Sequence, residues 1–256
     1  MSYLPGKFVW FEHVSNDVAK SKKFYQGLVG WAIADVPMGE QPYSMIMNGG
    51  SGPEHGIGGF RTATPGMASH WISYLSVADV DKSHAAAVAA GAKSMMAPMN
   101  MGPGRASGIT DPSGAMLAMW KGGQGDPADV EKTPLGGWFW NELWSTDAKA
   151  ALAFYKKVFG YSVDAMDMGP QGTYNILKTA DGKMRAGLMQ ATPEMKMPSN
   201  WLPYIHVADC DKAAAKATQL GALSIAVPPT DIPNIGRFCV VIDPSGAAVA
   251  LIKGAG

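Results

Sequence analysis

The residues that could carry chemistry are two glutamates, each in the middle of a predicted strand. Glu12 follows Trp10 in the segment VWFEHVS, and Glu142 lies between Trp140 and Trp144 in WFWNELWS. A carboxylate flanked by indole rings is poorly solvated unless it has a partner. It could act as a general base or anchor a basic ligand, and apolar walls would raise its pKa.

A structural interpretation of these glutamates stands beside the functional one. Arg105 and Arg237 also recur along the chain and could form ion pairs with Glu12 and Glu142. Such a pair would stabilise the fold without any role in chemistry, and the sequence alone leaves both interpretations open.

Further aromatic and polar side chains fall on the same strand faces, because successive side chains of a strand point to opposite sides. These residues are Trp10, Tyr74, Ser76 and Trp120 in the first half, and Trp138, Trp140, Trp144, Tyr204 and His206 in the second. Together they predict aromatic, mostly apolar clefts with few polar groups, which is how small-molecule pockets are usually built. Simple core packing of the aromatic residues is the alternative. His206 is predicted to point into the second cleft, whereas surface or capping roles are predicted for His70 and His84.

The two halves of the chain repeat each other. The offset is 130 residues at first and becomes 132 after a two-residue insertion. The matched pairs include Trp10/Trp140, Glu12/Glu142, Asp17/Asp147, Tyr25/Tyr155, Gly30/Gly160, Trp71/Trp201, Tyr74/Tyr204, Asp79/Asp209, Arg105/Arg237 and Asp111/Asp243. Chance does not hold one register over so many special residues, so the chain is a tandem duplication.

Each half predicts the same order of elements. A strand over residues 8–14 precedes a helix capped by Asn16 or Asp17 and ended by Gly30. Short strands around Tyr43–Met47 and Gly56–Arg61, a strand over Trp71–Val77, a second helix that starts after Asp79, and a hairpin with an Asp-Pro-Ser-Gly turn follow. The fold class is therefore α+β, with four βαβββ units whose mixed sheets curve and enclose clefts. The expected division is an N-terminal module over 1–125, a Gly/Pro-rich linker over 126–136 and a C-terminal module over 137–256.

These motifs resemble the vicinal oxygen chelate (VOC) superfamily of glyoxalase I, extradiol dioxygenases and bleomycin-resistance proteins. The resemblance rests on D-x6-FY-x4-G after the first strand, V-x-D-x-D before the second helix and the D-P-x-G hairpin, and it covers nearly the whole chain. The tandem bacterial glyoxalase-like branch is the most similar. Because the superfamily includes isomerases, oxygenases, lyases and plain binders, the resemblance implies the fold more strongly than the activity.

The resemblance also implies where metal ligands would lie. Metal-using members hold the ion with His and Glu at three positions of each module. In this chain those positions are Trp10, Ile72 and Ala118 in the first module and Trp140, Leu202 and Ala250 in the second. None of these side chains offers a lone pair to a divalent ion, so we expect no metal and no cofactor.

Composition narrows the possible partners. Twenty-one basic residues balance 21 acidic ones, which removes the electrostatic attraction needed for nucleic acid or anionic membranes. The chain has no signal-peptide pattern and no apolar run long enough to span a bilayer, so we expect a cytoplasmic protein. It would be a monomer or a homodimer.

Three functional hypotheses follow. The first is a metal-free binder of a small apolar or aromatic molecule, with ligand contacts from Trp10, Tyr74, Arg105, Trp120, Trp140, Trp144, Tyr204 and Arg237. The second is a glyoxalase-like lyase, isomerase or oxygenase in which Glu12 or Glu142 is the base and His206 and Tyr204 donate protons or orient the substrate. The third is a protein-interaction module with vestigial clefts.

Overall fold

The computed structural model describes residues 2–37, 42–169 and 172–255. The helices are α1 (Val18–Val29), α2 (Val80–Ala89), α3 (Ala148–Phe159) and α4 (Cys210–Gln219). The strands of the first repeat are β1 (Phe8–Ser15), β2 (Ala32–Val36), β3 (Tyr43–Met47), β4 (Gly56–Thr62), β5 (His70–Ser76), β6 (Lys93–Met101), β7 (Gly104–Thr110) and β8 (Met116–Gly122). Those of the second are β9 (Trp138–Ser145), β10 (Ser162–Asp167), β11 (Thr173–Lys178), β12 (Met184–Gln190), β13 (Asn200–His206), β14 (Ser224–Ile232), β15 (Gly236–Ile242) and β16 (Ala248–Gly254).

The element order repeats β-α-β-β-β four times, which confirms the predicted α+β class and the four units. Two eight-stranded mixed sheets result, with the orders β2-β3-β4-β1-β5-β8-β7-β6 and β10-β11-β12-β9-β13-β16-β15-β14. Within a unit the first strand pairs in parallel with the last, as β1 does with β4, while the other neighbours are antiparallel. The parallel pairing places the first strand of each unit away from the sheet edges. The repeated glutamates lie on two of these inner strands, β1 and β9.

The first helix of each repeat begins and ends where the sequence predicts. Of the two expected caps, Asp17 is the one used: its carboxylate accepts the backbone N–H of Lys20. Asp147 caps α3 through Ala150 in the same way. Gly30 ends α1 with a φ of 77°, a left-handed conformation that glycine adopts without steric cost.

Four strands were not placed by the sequence analysis, and all four lie at sheet edges: β2, β6, β10 and β14. Most of their side chains are half-buried or exposed, so the hydrophobic alternation that marks a strand is weak. Pro98 in β6 and Pro228 in β14 weaken the pattern further. Proline is tolerated in an edge strand because one side of that strand has no partner strand, so the missing N–H need not break a hydrogen bond.

The chain forms two compact bodies, and each contains parts of both sequence repeats. The first body consists of Met1–Trp10, Ile72–Asp129 and Trp140–Trp201. The second consists of Phe11–Trp71, Val130–Phe139 and Leu202–Gly256. The expected modules are continuous in sequence, whereas the compact bodies are assembled from three segments each.

Each body is held together by a buried tyrosine that reaches the hairpin turn of the other repeat. In the first body, the Tyr155 hydroxyl accepts from Trp201 Nε1 at 3.0 Å and donates to Asp111 Oδ2 at 2.9 Å. The other oxygen of Asp111 accepts from Ser113 and Ala115 within its own turn. Burial, followed by the charge of Asp111, raises the pKa of Tyr155, so the phenol remains a donor.

The second body has the same arrangement with one addition. Trp71 Nε1 donates to the Tyr25 hydroxyl at 3.1 Å, which donates to Asp243 Oδ2 at 3.0 Å. His13 Nε2 also lies 2.6 Å from that oxygen, and both side chains are fully buried. Burial would raise the pKa of Asp243, but the hydrogen bond and charge of His13 lower it overall. Leu143 occupies the equivalent position of His13 in the second repeat.

The segment predicted as a linker is irregular in structure but firmly attached. In the first body, Asp126 Oδ2 accepts from the Leu4 N–H and from the Ser76 hydroxyl. In the second body, the Gly136 carbonyl accepts from Trp31 Nε1 at 2.8 Å. Residues 126–136 contain neither helix nor strand, and these hydrogen bonds fix the segment in place.

Among the residues that the structure describes, no helix is both long enough and apolar enough to cross a membrane.

Candidate functional site

Glu12 lies in the second body, on the side of β1 opposite to the helix-facing residues Phe11 and His13. Its Oε1 accepts a hydrogen bond from the Tyr43 hydroxyl at 3.1 Å, and its Oε2 accepts from Arg61 Nε at 2.9 Å. The Glu12 side chain is 4% exposed, while that of Arg61 is 51% exposed. We call Glu12, Tyr43, Gly59, Arg61 and His70 the Glu12 site.

A glycine makes room for the tyrosine in this site. Gly59 lies directly opposite Glu12 in the parallel β1–β4 ladder. A Cβ at Gly59 would overlap the hydroxyl of Tyr43, so a larger residue would displace the phenol from the carboxylate. The contact between Tyr43 and Glu12 therefore depends on a residue without a side chain at position 59.

The first body contains a corresponding Glu142 site, built from Glu142, Trp140, Tyr174 and Gly187 with their neighbours Trp144, Met189 and Asn200. Gly187 lies opposite Glu142, and an added Cβ would overlap the Tyr174 hydroxyl. Trp140 Nε1 donates to that hydroxyl at 2.8 Å, and the hydroxyl is hydrogen-bonded to Glu142. Burial, and then the charge and hydrogen bond of Glu142, raise the pKa of Tyr174, so the phenol stays protonated.

The tyrosines, the glycines and Arg61 were missed by the sequence analysis. Their signal was present, since Tyr43 and Tyr174 differ by 131 residues and Gly59 and Gly187 by 128. The glutamates differ by 130, so a search at constant offset does not align these three features.

His70 was expected at a surface or capping position at the start of its strand. It begins β5, and its Nδ1 donates to the Ala68 carbonyl at 2.8 Å. Its Nε2 is buried and has no hydrogen-bond partner among the described residues. Burial lowers the pKa of His70, and β5, which begins with His70, is the neighbour of β1 in the sheet. The result is a neutral imidazole with a lone pair on Nε2.

The same positions are occupied differently in the Glu142 site. Val14 and Arg61 are paired across β1 and β4, and Trp144 and Met189 are paired across β9 and β12. Asn200 begins β13 at the position that corresponds to His70. Within the part of the chain that the structure describes, Trp144 Nε1 and Asn200 Oδ1 are buried without a hydrogen-bond partner. A buried donor or acceptor of this kind is costly unless water or a ligand satisfies it.

The other aromatic candidates lie as follows. In the first body, Tyr74 contacts Trp120 edge to face with ring centroids 6.4 Å apart, and Trp10 is half-buried. In the second body, Tyr204 stacks on Phe238 with centroids 6.1 Å apart. These positions follow the predicted strand alternation, and their contribution to ligand binding stays a prediction.

His206 and Trp138 are both engaged by neighbours in the second body. His206 Nδ1 donates to the Thr133 carbonyl at 2.7 Å, and the ring lies 5.3 Å from that of Phe139. Trp138 was expected on the same cleft face as Trp140, but it is half-buried and its ring packs 4.3 Å from that of Phe11. Phe11 lies on the helix-facing side of β1. Trp138 packs against it on that side, and this explains why Trp138 does not lie with Trp140.

The proposed ion pairs of the glutamates with Arg105 and Arg237 are wrong. Arg105 binds Asp81 through two nitrogens at 2.6 and 2.7 Å. Arg237 binds Asp211 in the same way at 2.7 and 2.9 Å. Each arginine is close to the start of the second helix of its repeat, where an aspartate is available, and both pairs are at the surface. Glu12 is paired with Arg61 instead.

The residues at the family's metal-ligand positions do not fit a divalent cation. Trp10, Ile72 and Ala118 of the first repeat, and Trp140, Leu202 and Ala250 of the second, carry indole, aliphatic or methyl groups. In the described ranges, no three side chains of the His, Cys, Asp and Glu types come together as a metal site. Both oxygens of Glu12 are engaged by Tyr43 and Arg61, which would compete with a metal for that carboxylate.

Comparison with known proteins gives a consistent family match. The model of the Glyoxalase/Bleomycin resistance protein/Dioxygenase superfamily matches residues 7–119 and again residues 140–251. "Putative glyoxylase CFP32" of Mycobacterium bovis is 36% identical over 255 residues, which is 98% of this chain and 96% of that protein. "Anthracycline biosynthesis protein DauV" of Streptomyces sp. (strain C5) is 30% identical over 264 residues, which is 98% of this chain and 94% of that protein.

Solved structures with the same fold are more distant in sequence. An Mn(II)-bound glyoxalase from Novosphingobium aromaticivorans has a TM-score of 0.66 and 17% identity, covering 97% of this chain and 82% of its own. The 2,2',3-trihydroxybiphenyl 1,2-dioxygenase of Sphingomonas wittichii strain RW1 also has a TM-score of 0.66, with 15% identity, covering 99% of this chain and 91% of its own.

Proposed function

The chain belongs to the glyoxalase, bleomycin resistance protein and dioxygenase superfamily, and from this premise we propose that it binds small aromatic molecules without a metal ion. The binding surfaces are the Glu12 site and the Glu142 site, each on the face of its strands that lies opposite to the helix-facing side chains. The proposed role is binding or sequestration, which requires no chemical step.

The observation that carries this proposal is the repeated contact of a glutamate, a tyrosine and a glycine. In both sites a glycine opposite the glutamate leaves space for a phenol, which holds the carboxylate in place. In the Glu142 site an indole extends the same hydrogen-bonded chain. Orientation of a ligand by a few fixed polar groups among aromatic walls is typical of small-molecule sites.

The relatives support an aromatic ligand. The Streptomyces relative is named as an anthracycline biosynthesis protein, and the structural neighbour from Sphingomonas is a 2,2',3-trihydroxybiphenyl 1,2-dioxygenase. Indole and phenol side chains favour planar ligands, since offset stacking adds about 0.5–1.5 kcal/mol per aromatic pair beyond the burial of area.

A glyoxalase-like lyase, isomerase or oxygenase is the second candidate function, with Glu142 as the base. The buried carboxylate of Glu142, held by a protonated phenol, is the feature that favours it. The Mycobacterium relative is named "Putative glyoxylase CFP32". Abstraction of a proton next to a carbonyl requires little more than a positioned carboxylate.

The test measures saturable binding of neutral aromatic compounds, an anthracycline aglycone among them, by calorimetry and by quenching of tryptophan fluorescence. Glu142→Gln and Tyr174→Phe are expected to weaken binding about tenfold, because one hydrogen bond contributes about 1 kcal/mol or somewhat more. Tyr3→Phe is the matched control, since Tyr3 is an exposed tyrosine. Absence of saturable binding, or equal affinities in all variants, would contradict the proposal.

The same samples separate the two candidate functions. If product forms from a carbonyl-containing ligand, and Glu142→Gln abolishes turnover while binding and the melting temperature change little, the enzyme is favoured. Binding without product favours the binder.

A further inference from the structure

We propose that the two sites differ in the charge of the ligand they accept: the Glu12 site takes a carboxylate-bearing aromatic molecule, and the Glu142 site takes an uncharged one. This inference rests on the proposed function and adds the ligand class of each site.

The Glu12 site presents a guanidinium group to its surroundings. Arg61 donates to Glu12 through Nε, and half of the Arg61 side chain remains exposed. The guanidinium has five N–H donors in a rigid planar fork, which matches a carboxylate. Because Glu12 is bound at Nε and half of the side chain is exposed, donors of the guanidinium remain within reach of solvent and of a ligand.

The other members of the Glu12 site add no negative charge to it. His70 contributes a neutral imidazole whose Nδ1 donates to the Ala68 carbonyl. Tyr43 donates to Oε1 of Glu12, and Arg61 donates to Oε2. A ligand carboxylate therefore meets the guanidinium donors of Arg61, while both oxygens of Glu12 already accept a hydrogen bond.

The Glu142 site lacks a cation at the corresponding positions. Met189 stands where Arg61 stands in the first repeat, and Asn200 stands at the position of His70. The buried polar groups available there are Trp144 Nε1, a neutral donor, and Asn200 Oδ1, a neutral acceptor. A carbonyl or hydroxyl group satisfies such partners, whereas a ligand carboxylate would lose its hydration beside Glu142 without a compensating positive charge.

The chain provides its own matched substitutions for the test. Calorimetry is carried out with 2-naphthoate and with 2-naphthamide, which share one ring system and differ in charge. We expect Arg61→Met to weaken binding of 2-naphthoate at least tenfold and to leave binding of 2-naphthamide within twofold of wild type. Lys82→Met is the control, since it removes one positive charge from a side chain that is 87% exposed.

Arg61→Met leaves Glu12 buried beside an apolar side chain, which can disturb folding. A second pair of variants therefore tests the same assignment independently. Glu12→Gln keeps the guanidinium and removes its competing carboxylate, so we expect it to bind 2-naphthoate several-fold more tightly. Met189→Arg is expected to create affinity for 2-naphthoate at the Glu142 site, seen as an increase in stoichiometry. A thermal melt of each variant accompanies the titrations.

The outcomes distinguish the two proposals. If both probes bind but Arg61→Met and Glu12→Gln leave the ratio of their affinities unchanged, the assignment of ligand charge is wrong and the proposed function stands. If neither probe binds to the wild-type protein, the assignment fails together with the proposed function.

Discussion

At the scale of single residues, the duplicated chain has kept its tyrosines and changed their surroundings. Tyr25 and Tyr155 each join a tryptophan to an aspartate in a fully buried network, yet only Asp243 has a histidine as an additional partner. A buried polar group that loses its only partner costs more than one that retains another. The two networks therefore allow the same substitution to be compared in two environments.

Tyr155→Phe removes the hydroxyl that links Trp201 to Asp111, and we expect it to lower the free energy of unfolding by about 1–3 kcal/mol. Tyr25→Phe removes the same hydroxyl beside Asp243, which keeps its 2.6 Å contact with His13. The free energy of unfolding should therefore fall less for Tyr25→Phe than for Tyr155→Phe. Urea denaturation monitored by tryptophan fluorescence measures both, and Tyr3→Phe reports the effect of an exposed tyrosine. A larger loss for Tyr25→Phe would show that His13 does not compensate.

The sequence identified some site residues and could not identify others. Glu12 and Glu142 were found because strand alternation and the repeat both mark them. Arg61 was not, since it lies 49 residues from Glu12 and meets it only through the β1–β4 pairing. Likewise, Arg105 looked like a partner because it recurs, whereas it binds Asp81, 24 residues away. Recurrence shows that a residue matters to the fold, but sheet order decides what it touches.

At the scale of the elements, central strands and helices were predicted well, and sheet edges were not. The caps Asp17 and Asp79 fix helix starts locally, and Tyr43–Met47 is confirmed as a strand over its whole predicted length. Edge strands such as β6 carry exposed methionines and a proline, so no periodic pattern marks them. Sequence patterns do not give the register between strands. In both sites this register places a glycine opposite the glutamate, and the glycine leaves room for the tyrosine.

Gly187→Ala tests this use of glycine. The new methyl group would overlap the Tyr174 hydroxyl, so we expect a loss of about 1–3 kcal/mol in the free energy of unfolding. Tyr174→Leu removes the obstructing atoms, and the double variant should lose at least about 1 kcal/mol less than the sum of the single ones. Urea denaturation of the four proteins gives this coupling energy.

Gly108→Ala is the matched control for that cycle. Gly108 is also a strand glycine, in β7, but the nearest atom to an added Cβ would be Met96 Cβ at 3.4 Å, an ordinary contact. It should change stability by much less than Gly187→Ala. Additivity of Gly187→Ala and Tyr174→Leu would contradict the proposed role of the glycine.

At the scale of the whole molecule, duplication has produced bodies that are not continuous in sequence. The first body contains three separated segments, and one carboxylate contacts the other two. Asp129, at the end of the middle segment, lies 3.1 Å from Lys7 Nζ and 2.6 Å from Arg185 Nη1. The Arg185 side chain is only 8% exposed, so this pair is more than a contact between two solvated charges.

Asp129→Asn should therefore reduce stability in a pH-dependent way. Arg185 and Lys7 lower the pKa of Asp129 from 3.8 to about 2, so its stabilising effect is complete above pH 3.8 and is lost as the pH falls through 2. The Asp129 side chain is 33% exposed, and with solvent screening we expect a loss of about 1 kcal/mol at pH 7. Urea denaturation of both proteins between pH 2 and pH 7 should show the difference between them shrinking below pH 4. Glu131→Gln, an exposed change two residues further on, should show no such trend. A difference that is independent of pH would mean that Asp129 holds the three segments through the shape of its hydrogen bonds and not through its charge.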